Sequence, residues 1–245
     1  MTPARGRARL GLLVPFTNTN LEADMALMCP PGLSLHVARM GGYNADEIPD
    51  AEQMHGLGAA DLDGPLTLLM GAKPDVVLYG CTSATLTHGP AFDRALAQRL
   101  RTQGTASVTA AGALVNALQH LGITRIGFAS PYVPAINDLA IAFLAEMGIG
   151  TCARAEVAEV LDNDGQGAMT PEAVHDLGAR ADHADAQAIV LSCTDMRSVE
   201  TIARLEATLG KPVITSNQAM LFEALQKLGV AEPLPGFGTL LDRPR

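Results

Sequence analysis

Short apolar runs alternate with longer amphipathic segments along the whole chain, and nothing else in the sequence limits the fold as much. Runs such as Val76-Val77-Leu78 and Ile189-Val190-Leu191 show no polar alternation, so as strands they are buried on both faces. Strands of that kind, separated by helices, read as parallel sheets covered by those helices. The expected strands are 8–14, 34–39, 75–79, 105–109, 124–129, 152–159, 187–191 and 212–215. The expected helices are 20–28, 51–71, 89–102, 111–121, 133–147, 171–182, 197–209 and 217–228. A length of 245 residues, 48% of them hydrophobic, suffices for one large α/β domain or two small ones with a sizeable core.

The pattern repeats. Arg9-Leu10-Gly11-Leu12 with Pro15 resembles Arg125-Ile126-Gly127-Phe128 with Pro131, and Ala117-Leu118-Gln119-His120-Leu121-Gly122 resembles Ala224-Leu225-Gln226-Lys227-Leu228-Gly229. The order of matched pieces is kept while their spacing drifts, as in a duplicated unit with altered loops. The expectation is an α/β fold of two pseudosymmetric halves, each a parallel sheet flanked by helices, with the site in the cleft between them. The first half is 1–115, with a C-terminal helix of about 217–245 packing back on it; the second is 116–216.

One pair of matched pieces carries chemistry. Val76-Val77-Leu78-Tyr79-Gly80 leads into Cys81-Thr82-Ser83, and Ala188-Ile189-Val190-Leu191-Ser192 leads into Cys193-Thr194-Asp195. Each thiol falls just past the carboxyl end of a strand, where open α/β sheets hold ligands. A lone cysteine is usually a small buried hydrophobe. Hydroxyl residues directly after the thiol, once in each half, point instead to two thiols facing one site. Each is expected at a helix N-terminus, which lowers a thiol pKa and favours the reactive thiolate. Arg197 is read either as an added charge near Cys193 or as a solvated side chain. Cys29 and Cys152 lack this setting and read as structural.

Other polar residues stand at strand ends. Pro15-Phe16-Thr17-Asn18-Thr19-Asn20 follows the first strand and reads as a helix cap or a carboxylate-binding loop. Tyr132, in Ser130-Pro131-Tyr132, is placed to donate to an oxyanion. Asp162-Asn163-Asp164-Gly165 reads first as a turn, and Thr215-Ser216-Asn217-Gln218 as a cap. His88 reads as a surface residue. No phosphate-binding or dinucleotide fingerprint is present, and Gly41-Gly42 lacks its spacing. The six histidines and four cysteines show no metal-ligand spacing, so neither metal nor cofactor is expected. A net charge of −9 without a basic face argues against nucleic acid as a partner. No apolar run is long enough for a bilayer, and the tail Met1–Arg9, with its three arginines, leads into no signal-peptide core. A cytoplasmic location is expected, with the thiols unpaired.

Five segments together resemble a known group: Val14-Pro15-Phe16-Thr17-Asn18-Thr19, Gly80-Cys81-Thr82-Ser83, Ser130-Pro131-Tyr132, Ser192-Cys193-Thr194 and Gly210-Lys211-Pro212-Val213-Ile214-Thr215-Ser216-Asn217-Gln218. They are similar to the aspartate/glutamate racemase superfamily, in its branch of maleate cis-trans isomerases, arylmalonate decarboxylases and ectoine-utilisation proteins. The resemblance covers nearly the whole chain. It implies two α/β halves around a cleft lined by both cysteine positions. Decarboxylases of this branch keep only the second cysteine, so Cys81 speaks against decarboxylation. Amino-acid racemases carry Asn-Thr after the first cysteine and His after the second, where this chain has Thr82-Ser83 and Thr194-Asp195. Maleate isomerases keep both cysteines, an Asn matching Asn18, a Tyr matching Tyr132 and an Asn for which Asn163 is the candidate. The residues around both thiols look closer to ectoine-utilisation members.

The resemblance thus implies a cofactor-independent isomerase of a small carboxylate, with maleate to fumarate as the guiding reaction. Cys81 and Cys193 are the expected catalytic residues. Pro15, Asn18, Thr82, Ser83, Tyr132, Asn163 and Thr194 are the expected substrate contacts. A racemase or epimerase of an amino acid or ectoine-type derivative would use the same thiols and stays open at this point, as does a ligand-binding protein without turnover. A homo-oligomer, dimer or tetramer, is expected.

Overall fold

The computed structural model describes residues 6–41, 46–101 and 104–242. Residues 1–5 of the arginine-bearing tail, Gly42, residue 102 of the expected helix 89–102, and residues 243–245 lie outside the described residues.

Among the described residues eight strands form two four-stranded sheets, all parallel. β1 (Ala8–Pro15), β2 (Leu33–Met40), β3 (Val76–Tyr79) and β4 (Ala106–Thr109) are ordered β2-β1-β3-β4. β5 (Arg125–Ser130), β6 (Gly150–Glu156), β7 (Ala188–Leu191) and β8 (Val213–Thr215) are ordered β6-β5-β7-β8. The two orders are the same, so the repeated sequence is a repeated topology. In each sheet the chain turns outward on one side after the first strand and on the other after the third. The carboxyl ends of β1 and β3, and of β5 and β7, are therefore the switch points where crossover loops diverge and leave a crevice.

Burial follows strand position. The inner strands β3 and β7 are buried throughout, whereas the edge strands β2 and β6 carry Arg39, Arg154 and Glu156. β6 ends at Glu156, short of the expected 159, because its only neighbour β5 ends opposite it at Ser130 and Pro131 follows.

The helices are α1 (Leu21–Met28), α2 (Ala51–Ala59), α3 (Asp63–Met70), α4 (Thr82–Leu86), α5 (Gly89–Leu100), α6 (Ala110–His120), α7 (Pro134–Glu146), α8 (Asn163–Gly167), α9 (Pro171–Arg180), α10 (Ile202–Leu209) and α11 (Ser216–Lys227). The expected helix 51–71 is two helices. Pro65 has no N–H to donate into a continuing helix, and the chain breaks at Ala60 before restarting with Asp63 N–H donating to Asp61 Oδ1 at 2.8 Å. The expected turn at 162–165 is the start of α8, capped by Asp162 accepting from Gly165 N–H at 2.7 Å.

α6 and α11 follow equivalent strands and begin alike. Thr109 accepts from Gly112 N–H at 3.2 Å, and Thr215 from Gln218 N–H at 3.1 Å. The two helices pack along each other, and Asn116 Nδ2 donates to Glu223 at 2.8 Å between them. α11 also touches β3, β4 and β8, and its residues 216–225 are all buried. The helix ends at Lys227 rather than continuing towards the C terminus.

Candidate active site

The crevice at the two switch points is one cavity, with an empty volume of about 430 Å³ including its mouth. Pro15, Thr17 and Asn18 enter from the β1–α1 loop, and Cys81 and Ser83 from the β3–α4 corner. The opposite side is formed by Tyr132 and Ile136 after β5, Asn163 and Gln166 on α8, and Cys193, Thr194 and Asp195 after β7. Pro49, Met54 and Leu57 add an apolar wall. Both thiols thus face the same space, one from each sheet.

Cys81 owes its place to Gly80. A side chain at Gly80 would collide with Leu21 and stand 3.1 Å from Leu13 O, so the chain passes close beside β1 only without a Cβ. Gly80 N–H donates to Leu13 O at 2.8 Å, and its carbonyl accepts from Thr194 Oγ1 at 3.0 Å. Thr194 Oγ1 in turn accepts from Asn18 Nδ2 at 3.1 Å. Asn18 Oδ1 accepts from Leu21 N–H at 2.9 Å and Asn20 N–H at 3.1 Å, opening α1. One chain of bonds therefore ties the ends of β1, β3 and β7 together. Thr17 Oγ1 adds a contact of 3.4 Å to Asn163 Oδ1.

The thiols are linked through neutral hydroxyls. Ser83 Oγ lies 3.6 Å from Cys81 Sγ. The Tyr132 hydroxyl lies beside both Ser83 and Cys193 and interacts with each. Asp195 N–H donates to Cys193 Sγ at 3.3 Å, and Gln166 Oε1 stands 3.9 Å from that sulfur.

The expectation of low thiol pKa values is overturned. Cys81 and Cys193 are 5% and 3% exposed. Burial raises the Cys81 pKa, against the N–H of Ala84, the Ser83 hydroxyl and the N–H of Ser83, which favour the thiolate; Asp195 adds to the rise. Burial, and then the Asp195 carboxylate, push Cys193 up to about 12, against the Asp195 N–H and the Tyr132 hydroxyl. The expected helix N-terminus exists only for Cys81, which opens α4. After Cys193 the chain runs irregularly to a single 3-10 turn at Val199–Thr201 before α10. Cys193 thus has the Asp195 N–H as its backbone donor and opens no helix.

Of the sequence-expected site residues, Pro15, Asn18, Cys81, Ser83, Tyr132, Asn163, Cys193 and Thr194 line the cavity, and Thr82 does not. The Thr82 hydroxyl donates to Ser216 Oγ at 2.9 Å, away from the cavity, because the residue after the N-cap turns its side chain towards the start of α11. Arg197 pairs with Glu200 at 2.8 Å in a half-exposed position. His88 stacks between His55 and Phe92, with centroids 4.0 Å from each.

Asp195 and Gln166 received no role from the sequence. Gln166 stands three residues after Asn163, one helical turn on, a signal hidden by reading 162–165 as a turn. Among the described residues no Lys or Arg lines the cavity, so an anionic ligand would meet neutral donors there. Among the described residues there is no group of His, Cys, Asp and Glu able to hold a metal, and no helix long and apolar enough to cross a membrane.

Known proteins resemble this chain over nearly their whole length. The maleate isomerase of Nocardia farcinica is 29% identical over 249 residues, covering 96% of each chain. The arylmalonate decarboxylase of Bordetella bronchiseptica is 29% identical over 259 residues, covering 95% of this chain and 96% of its own. The crystal structure of a cysteine-to-alanine variant of the maleate isomerase of Pseudomonas putida S16 with maleate has a TM-score of 0.86 at 28% identity, over 96% of this chain and 97% of that one. The arylmalonate decarboxylase family model matches residues 10–241, so this two-sheet, two-thiol chain belongs to that family.

Proposed function

We propose that this protein is a cofactor-independent cis-trans isomerase that converts maleate to fumarate. The observation that carries the reading is the pair of thiols, Cys81 and Cys193, lining one cavity from opposite sheets. Similarity to maleate isomerases over nearly the whole chain supports it over a racemase.

Cys81 loses its proton to solvent and attacks one alkene carbon of maleate through sulfur. A C–S bond forms, and the π electrons move to the other carbon and its carboxylate. Cys193 gives its S–H proton to that carbon, leaving a succinyl thioether on Cys81 and a thiolate at Cys193. The central bond is now single and rotates. Cys193 takes a proton back, the C–S electron pair returns to Cys81, and fumarate leaves. Asymmetry between the thiols fits these roles. Cys81 has two backbone N–H groups and a hydroxyl favouring its thiolate, whereas Cys193 is held as S–H. Asn18, Ser83, Tyr132 and Asn163 supply donors for the carboxylates and for the charge that builds during addition.

On this reading the chain divides into residues 1–115 with the segment from about 217, and residues 116–216, with the reaction at their junction. The contacts of α11 with β3 and β4 support that division. We place the enzyme in the cytoplasm as a homo-oligomer, where a reducing milieu keeps both thiols free.

Proton NMR of the protein incubated with maleate tests the reading. A growing fumarate singlet is expected, and its loss in both Cys81→Ala and Cys193→Ala with circular dichroism unchanged. Maleate left intact, while an amino acid exchanges its Cα hydrogen with deuterated solvent, would overturn it in favour of a racemase.

A further inference from the structure

Among the described residues Asp195 is the one carboxylate that lines the cavity, and it faces both thiols. Its Oδ1 accepts from Thr19 N–H at 2.8 Å, Asn20 N–H at 3.0 Å, Asn20 Nδ2 at 3.2 Å and Thr19 Oγ1 at 3.3 Å. Asn20 Nδ2 also donates to Asp195 O at 2.7 Å and Gly167 O at 2.9 Å. A carboxylate of the second half therefore grips the loop that carries Asn18 in the first half. Its own N–H meets the Cys193 sulfur at 3.3 Å.

We propose that Asp195 is a positioning residue that fixes which thiol carries the proton, holding Cys193 as S–H while it locks the Asn18 loop against it. The proposal rests on the isomerase reading above and adds the residue that separates the two thiol roles.

The physical argument has two parts. Among the described residues no cation lines the cavity to neutralise the carboxylate, which is held by the dipoles of Thr19 and Asn20. A second negative charge on the sulfur two residues away is disfavoured by direct repulsion in a poorly solvated space. The other titratable groups facing Cys193 are Cys81 and Tyr132. Ionised Cys81 also opposes a Cys193 thiolate, and the Tyr132 hydroxyl partly offsets this by donating to the sulfur. The Asp195 carboxylate opposes both thiolates after burial, but at Cys193 it outweighs each donor to that sulfur, whereas at Cys81 the Ala84 N–H and the Ser83 hydroxyl outweigh it. Gripping the loop is the second part. Asn18 touches both Thr194 and the cavity, and the grip on Thr19 and Asn20 adds to the bonds that fix it there.

Asp195→Asn separates the two parts, since it removes the charge and keeps an acceptor oxygen for Thr19 and Asn20. The readout is the rate at which iodoacetamide alkylates each cysteine as pH is raised, followed by peptide mass. The Cys193 midpoint should move to lower pH by about one unit or more, and that of Cys81 by less. The alkaline limb of the turnover profile should move the same way, because a Cys193 that ionises early no longer donates. Asp195→Ala drops the acceptor as well and should raise KM about tenfold over Asp195→Asn. Asp195→Ser serves as the uncharged variant if Asp195→Asn fails to fold. A Cys193 alkylation profile unmoved in a folded, uncharged variant overturns the proposal. Alkylation needs no substrate, so this result is distinct from an absence of fumarate in the wild type, which would overturn the isomerase reading instead.

Discussion

Replacing Asp24 with Asn should make the protein more stable at alkaline pH and flatten its response to pH. Asp24 lies on α1, 5% exposed, and accepts from Asn217 Nδ2 at 2.7 Å. Asn217 Nδ2 also donates to Thr194 O at 3.1 Å, so this carboxyl sits directly behind the second thiol's loop. Burial is the main cause that raises its pKa from 3.8 to about 7; the Asn217 hydrogen bond opposes it, and Glu200 adds to it. A carboxyl raised in this way holds its proton in the folded state where the unfolded chain has already lost it. Stability is therefore highest below the unfolded value, falls as pH rises from 3.8 to about 7, and is level above that. At 1.36 kcal/mol per unit, the loss amounts to about 4 kcal/mol. Asn keeps an oxygen for Asn217 Nδ2 and carries no charge. Its new N–H has an acceptor in Asn217 Oδ1, which is buried without a partner. Urea unfolding of both proteins, followed by circular dichroism at about pH 4.5 and about pH 8, measures the effect. The variant should gain on the wild type by roughly 3 kcal/mol between the two conditions. A stability difference that does not change with pH would refute the reasoning.

Tyr132→Phe should lower kcat by about two to three decades and change KM little, because its phenol joins Ser83 and Cys193 where charge develops. Steady-state kinetics on maleate checks this, and an unchanged kcat would leave Tyr132 as a packing residue. Gly80→Ala should cost about 1–3 kcal/mol and most of the activity, since the new methyl drives Leu21 aside and moves Cys81 away from β1. Thermal melting and turnover report the two losses separately. Full activity with an unchanged melting temperature would show that the corner has room.

Much of this protein is legible in the linear sequence. Strands such as Val76–Tyr79 and Ala188–Leu191 announce themselves because burial on both faces demands an unbroken apolar run, and such a run is local. The two thiols follow, since the end of a buried strand is also the end of that run. The repeat of Arg9-Leu10-Gly11-Leu12 at Arg125-Ile126-Gly127-Phe128 foretells two sheets of one order. Even the misreading of 51–71 had a visible signal in Pro65.

What surrounds each thiol was decided by tertiary structure alone. Whether Thr82 points into the cavity or at Ser216 depends on where α11 lies, and α11 is far away in sequence. Asp195 is an ordinary loop residue until Thr19 and Asn20, from the other half, close on its carboxylate. The thiol pKa values depend on desolvation and on charges that arrive from distant segments, so motif spacing predicted the wrong direction. A strand pattern is a property of neighbours along the chain. Direction, desolvation and charge at a site are properties of neighbours in space, and only the packed fold brings those neighbours together.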